Sequence, residues 1–202
     1  MLPERKKNRL VDFDYSSPGY YFITICTDCR FEYFGDVKDG KMVLSKMGEI
    51  AEYFLKQIPF HYKNVLLDEF VIMPNHIHAI IIINESDVEQ CVTDMTVADT
   101  DVPTVGTEQC SVPTPVVIES VSVYKSIMKP MVGLLSKIIK SFKDVCTKNI
   151  KNKFGASEFC WQRSFYDCII RNETAYNNIK FYIQNNPNKW EQDRNNKFNL
   201  YM

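Results

Sequence analysis

A chain of 202 residues that is 45% hydrophobic can bury one full core and is short for two, so a single domain spanning 1–202 is expected. The seven cysteines are odd in number and scattered, no apolar leader precedes them, and no run approaches the roughly 18 apolar residues of a membrane helix; a cytoplasmic protein with reduced thiols and no membrane partner is expected. The formal charge of -1 hides an asymmetry: eight of the 25 acidic residues lie between Asn84 and Tyr124, which has no Lys or Arg, and removing them leaves 17 acids against 24 bases, the sign of a body that meets a polyanion.

The first ten residues are polar and basic, and Arg5, Lys6, Lys7 and Arg9 could lie along phosphates. From Tyr20 to Thr27 the chain alternates, with Tyr21, Ile23 and Ile25 on one face and Phe22, Thr24 and Cys26 on the other, which predicts a strand. Ser45 is placed to cap a helix whose apolar positions, Met47, Ile50, Ala51, Phe54, Leu55 and Ile58, recur at helical spacing until Pro59. Val65 to Met73 and His76 to Ile83 read as two strands joined by a tight Pro74-Asn75 turn. Residues 86–130 then lose all periodicity and repeat a Val-Pro-Thr triplet at Val102 and Val112, which predicts a mobile acidic insertion. A helix is expected from Met131 to Lys153, with Leu135, Ile138, Ile139, Phe142, Val145 and Cys146 packing and Lys137, Lys140, Lys148 and Lys151 on the opposite side, where they could meet DNA or merely solvent. Glu158 to Ile170 reads as strand and turn, and Asn172 caps a last helix that ends at Pro187. The class is α+β: an antiparallel central sheet with helices on one face.

His76 and His78 flank Ile77 at the start of a strand, and residues i and i+2 share a face, so two imidazoles can offer nitrogens to one cation while Ile77 points into the core. The motif alone is weak and needs a third ligand. In the last helix Ile179, Tyr182, Ile183 and Asn186 share one face, placing a phenol and an amide oxygen one turn apart; on spacing alone Tyr182 is more readily a core residue with its hydroxyl at the edge. Cys26 and Cys29 could be half of a zinc site, but no second pair at comparable spacing accompanies them.

The run Asp68-Glu69-Phe70-Val71-Ile72-Met73-Pro74-Asn75-His76-Ile77-His78 resembles the signature of the single-tyrosine HUH transposases. Asp14-Tyr15-Ser16, Gly19 to Thr27, Phe34-Gly35, Trp161 to Asp167, and Tyr182-Ile183-Gln184-Asn185-Asn186-Pro187 are similar, in the same order, to the REP-associated tyrosine transposase branch, and the resemblance spares only the acidic insertion. It implies a ferredoxin-like or RRM-like palm, a divalent metal (Mg²⁺ or Mn²⁺) on His76, His78 and Asn186, and Tyr182 as nucleophile. Tyr166 is the rival phenol, but it lacks the Asn-Asn-Pro that follows Tyr182. The implied activity is nicking and strand transfer on single-stranded hairpin DNA through a 5′-phosphotyrosine, in transposition or in processing of repeats. The alternative is a hairpin-binding protein of the same fold that no longer cuts. Trp161, Gln162, Arg163 and Arg171 are further candidate DNA contacts, since bases stack on aromatic rings and Arg pairs with phosphate. Association with the nucleoid would follow from DNA binding, and a monomer and a homodimer are both compatible with the chain.

Overall fold

The structure, a computed structural model, describes residues 14–85, 133–196 and 199; Arg5, Lys6, Lys7, Arg9 and the 86–130 insertion lie outside the described residues. The alternation from Tyr20 onward produces β1 (Gly19–Cys26), whose Tyr21, Ile23 and Ile25 are completely buried. The apolar runs on either side of Pro74-Asn75 produce β4 (Val65–Met73) and β5 (His76–Ile83), a hairpin in which Met73 pairs with His76. With β6 (Tyr166–Ile170) they form one antiparallel sheet in the order β4-β5-β1-β6.

Two helices cross between these strands. The helix α1 (Lys46–Lys56) starts as expected at Ser45, whose hydroxyl accepts from the Gly48 amide at 3.1 Å, and a four-residue turn, α2 (Ile58–His61), follows with Pro59 in its first turn. The helix α3 (Leu134–Phe154) stops at Gly155, which takes the left-handed φ of 63° that a residue without Cβ adopts at no cost. The order β1-α1-β4-β5-α3-β6 is the ferredoxin-like βαββαβ arrangement. Both crossover helices pack on one face of the sheet: Ala51 and Leu55 of α1 and Leu135, Ile138, Ile139, Phe142, Cys146 and Ile150 of α3 close over Ile23, Ile25, Ile77, Ala79 and Ile81. The fold class read from the sequence is the one observed.

The last helix, α4 (Glu173–Asn185), is capped by Asn172, which accepts from the Ala175 amide at 2.8 Å. It lies on the other face, where Ile183, Ile179 and Ala175 meet Phe22, Ile80 and Ile170. This apolar patch is small, and beyond it the sheet face carries polar side chains. A polar contact supplements it: a register shift between Leu67 and Phe70 turns Asp68 and Glu69 out toward α4, where Asp68 accepts from Tyr176 at 2.5 Å and Glu69 from Gln184 at 2.8 Å.

The sequence reading did not include the hairpin of β2 (Gly35–Lys38) and β3 (Lys41–Leu44). Its base rests on Gly35, at φ 132°, where a Cβ would stand 2.1 Å from the Val43 carbonyl oxygen. After α4 the chain makes a 3₁₀ turn (Pro187–Gln192) and folds back across the polar half of the sheet through Asp193, Arg194 and Asn195.

Candidate active site

Because β5 alternates, Ile77 faces α1 and α3 while His76 and His78 face the polar half of the opposite side, beside Cys26 and Thr24 of β1. Both histidines are buried, and their Nε2 atoms stand 3.0 Å apart. Burial, and then the nearby charges of Arg30 and Arg194, push the His76 pKa down to about 3; burial and the neighbouring His76 push that of His78 well below its ordinary value. Both rings are therefore neutral at physiological pH, the form that ligates metals.

The helix face predicted from spacing delivers the rest. Ile183 is buried against the sheet, and one residue away the Tyr182 hydroxyl reaches 3.1 Å from His78 Nε2 while the residue as a whole remains 39% exposed. Phe22 holds that ring edge-on from below. Asn186, one turn on, is buried; its Nδ2 donates to Asp193 Oδ2 at 3.2 Å, and its Oδ1 is buried without a partner. An orphaned buried oxygen on a residue that lines the same cleft as His78 is costly unless something electropositive meets it.

Asp193 is the residue the sequence reading missed. Its carboxylate and the two imidazoles present ligand atoms all within 4.8 Å of one another, a set of two nitrogens and one oxygen that could hold a divalent metal ion. The carboxylate is fixed by the Asn195 amide, which donates to Oδ1 at 2.6 Å, and by Asn186 Nδ2. Burial first, and then Asp193, raise the Tyr182 pKa, so the phenol is protonated at neutral pH and has a carboxylate beside it. The sequence signal for this turn is only compositional: Asn188, Asp193, Asn195 and Asn196 follow Pro187, a density typical of irregular backbone.

Two clefts open along β1 and share Tyr166 and Arg194. One, about 460 Å³, is lined by Phe22, His78, Tyr182, Asn186 and Asp193; the other, about 450 Å³, by Thr24, Cys26, Arg30, Gln162, Ser164 and Phe165. Arg30 and the preceding Cys29 both adopt left-handed φ (55° and 48°), a strained pair that turns the Arg30 guanidinium onto Asn195 Oδ1.

Among the described residues expected to contact DNA, Gln162 alone lines a cleft beside the histidines. Arg163 is exposed next to it, whereas Arg171 follows the far end of β6 and lines a separate hollow with Tyr20 and Tyr176. Trp161 is half-buried: its indole packs against Phe34, Phe142 and Phe159 at the edge of the main core, and its backbone bridges to Thr27. Lys137, Lys140, Lys148 and Lys151 are not brought to the site, since α3 packs on the sheet face opposite the histidines. Lys140 is also paired with Asp144 at 2.5 Å. Tyr166 lines both clefts, but the phenol beside the histidines is Tyr182. Cys26 is buried within the sheet and Cys29 is exposed; among the described residues, no group of metal-ligating side chains includes either. None of the described helices is long and apolar enough to cross a membrane.

An uncharacterized protein of Haemophilus influenzae is 34% identical to this chain over 193 residues, covering 96% of this chain and 93% of its own length. No family model matches the chain. Among solved structures, a REP-associated tyrosine transposase bound to a REP hairpin aligns at 14% identity and a TM-score of 0.49, covering 94% of this chain and 77% of that one. A Deinococcus radiodurans protein provisionally assigned as a transposase aligns at 12% identity and a TM-score of 0.42, covering 90% of this chain and 97% of that one. Neither structural likeness is close enough to bear on activity.

Proposed function

This chain belongs to one family with the Haemophilus influenzae protein, and we propose that it is a metal-dependent transposase-type enzyme that nicks and rejoins single-stranded DNA at hairpins, with Tyr182 as nucleophile. One observation carries the reading: the Tyr182 hydroxyl stands 3.1 Å from His78 Nε2, which itself stands 3.0 Å from His76 Nε2, so a phenol and a two-histidine metal seat occupy one cleft wall. The resemblance of the His76-Ile77-His78 and Tyr182-to-Pro187 segments to single-tyrosine HUH transposases, and of the wider set of segments to their REP-associated branch, supports the same reading and supplies the substrate class.

His76 and His78, with an oxygen from Asn186 or Asp193, would hold Mg²⁺ or Mn²⁺, which when bound withdraws charge from a non-bridging oxygen of the scissile phosphodiester. Tyr182 approaches from the α4 side, and its oxygen bonds to phosphorus as the bond to the 3′ oxygen breaks. Asp193, which lines the same cleft and whose charge acts on the phenol, is the carboxylate placed to take its proton, and the departing 3′ oxygen takes a proton to become a hydroxyl. The 5′-phosphotyrosine conserves the phosphodiester's energy, so a second strand's 3′-hydroxyl can reverse the step and rejoin DNA. Arg194 and Arg30, flanking the cleft along β1, are placed to meet backbone phosphates on either side of the cut. The basic N-terminal residues and Arg163 would extend that contact, with the acidic insertion at 86–130 as an appendage to the single catalytic domain.

The test is incubation with labelled hairpin DNA from repeats near its own gene, with Mn²⁺ or with chelator, followed by a denaturing gel. A metal-dependent covalent band that survives Tyr166→Phe and disappears in Tyr182→Phe supports the reading. Binding with no adduct under any metal leaves the silent hairpin-binding protein as the better description.

A further inference from the structure

The residue before the first histidine is fully buried and engages every polar atom of its side chain. Asn75 Nδ2 donates to the Arg30 carbonyl at 3.1 Å and to the Asn195 carbonyl at 2.9 Å. Its backbone carbonyl meanwhile accepts from the Thr27 amide at 2.9 Å and the Thr27 hydroxyl at 3.0 Å. Two carbonyl acceptors on one amide atom fix which end is nitrogen, so the atom 2.9 Å from His76 Nδ1 is the oxygen, an acceptor only. His76 Nδ1 must then donate. Its proton sits on Nδ1, and Nε2 carries a lone pair aimed at His78.

We propose that Asn75 is a positioning residue that locks His76 in the Nδ1–H tautomer and thereby presents its Nε2 lone pair to the metal; this rests on the metal reading above. His78 is built differently. Its Nδ1 meets the Thr24 hydroxyl at 2.9 Å, and a hydroxyl can donate or accept, so its proton is free to sit on either nitrogen. Two lone pairs cannot face each other at 3.0 Å, so without a cation His78 carries its proton on Nε2 and donates to His76, with Thr24 donating to Nδ1. A cation held by the pair would need a lone pair on His78 Nε2 as well, which His78 could supply by carrying its proton on Nδ1 with Thr24 as the acceptor. One ligand is thus fixed and its neighbour switches. Asn75 also ties the Arg30 loop and the Asn195 turn, the two segments that wall the second cleft, to the same ligand, so the hold on His76 is set by chain segments more than 40 residues away on one side and 100 on the other.

Outer partners that orient a ligating histidine typically change metal affinity by about tenfold to a hundredfold when removed. Long-range proton–nitrogen correlation spectra report each histidine's tautomer, and only three histidines occur, so His61→Gln and His78→Gln complete the assignment. Metal-free wild type is expected to show His76 as Nδ1–H and His78 as Nε2–H, and added Mg²⁺ should convert His78 alone. In parallel, Mn²⁺ affinity is measured by the paramagnetic signal of the free ion, with melting temperature as the fold control. Asn75→Ala should weaken Mn²⁺ by about tenfold to a hundredfold. Asn75→Asp, which keeps an acceptor against Nδ1 but loses both donors, should stay within a few-fold of wild type while melting lower, and should retain the Nδ1–H signature. An Nε2–H signature for His76 in wild type, or a folded Asn75→Ala with undiminished Mn²⁺ affinity, overturns the proposal. A wild-type protein that shows the Nδ1–H tautomer yet takes up no Mn²⁺ overturns the metal reading and the role drawn from it, while leaving Asn75's hold on His76 in place.

Discussion

The buried histidine pair should make the metal-free protein acid-sensitive in a way that can be isolated. A histidine in the unfolded chain has a pKa near 6.5, whereas burial holds folded His76 at about 3. Below 6.5 the unfolded state therefore binds more protons than the folded one, and stability falls as pH falls, throughout the window from 6.5 down to 3. Worked through for His76 alone, lowering the pH from 7 to 5 costs about 2 kcal/mol. His78, shifted the same way by burial and by the ring beside it, adds a loss of the same sign. Against a typical folding free energy of about 5–15 kcal/mol this is a large share. At a urea m-value of about 2 kcal/mol/M, the His76 contribution alone moves the unfolding midpoint by about 1 M. The assay is urea unfolding at pH 7 and pH 5 in chelator, comparing wild type with the His76→Gln/His78→Gln double variant. The double variant subtracts what the carboxylates contribute and should show a clearly smaller pH shift. Equal shifts in the two proteins would mean that the rings are not held neutral by burial, and the account of a metal-ready pair would fail with it.

Other consequences follow from where side chains sit. Ile183→Ala removes the residue that anchors α4 to its four-residue buried patch and should cost about 2–3 kcal/mol, with faster amide hydrogen exchange confined to α4; an unchanged exchange pattern would argue against that anchorage. Trp161→Ala should cost about 3–5 kcal/mol in thermal or urea unfolding yet leave hairpin-DNA affinity unchanged where the variant remains folded. Lost DNA binding with stability intact would instead make the indole a base contact. Neutralising Lys137, Lys140 and Lys148 together should alter hairpin-DNA affinity by less than about threefold at 0.15 M salt, where charges on the far side of a sheet are largely screened. Arg194→Ala, at the waist between the two clefts, should weaken it by about tenfold, and fluorescence anisotropy distinguishes the two cases.

The parts of this fold that follow a short period were legible in the sequence. Period two in Tyr20–Thr27 and the apolar β-forming runs on either side of Pro74-Asn75 place three of the four main strands within a residue of their observed ends, and the parity of a strand separates His76 and His78 from Ile77. Period 3.6 with a side-chain cap finds α1 and α4 and brings Tyr182 and Asn186 onto the face that reaches the histidines. The β2–β3 hairpin had a signal too: Asp39-Gly40 between short apolar positions, with φ of 50° and 69°, is a primed two-residue turn, but four-residue strands give a periodicity too brief to weigh. Asp193 and Arg30 had none. Their positions are set by single contacts across the fold, Arg30 through its carbonyl on Asn75 and Asp193 through Asn186 and Asn195, and nothing in the local pattern of either segment encodes the partner. The positions of His76, His78, Tyr182 and Asn186 on regular elements could therefore be read from spacing, while that of the Asp193 carboxylate beside them could not. Irregular backbone can bring a charged side chain over a sheet only if its own amides and carbonyls find partners, and here Asn75 and Asp193 satisfy the Asn195 carbonyl and amide. The turn that carries Asp193 is thus held by the same buried asparagine that contacts His76, which couples the first and last pieces of the site through one side chain.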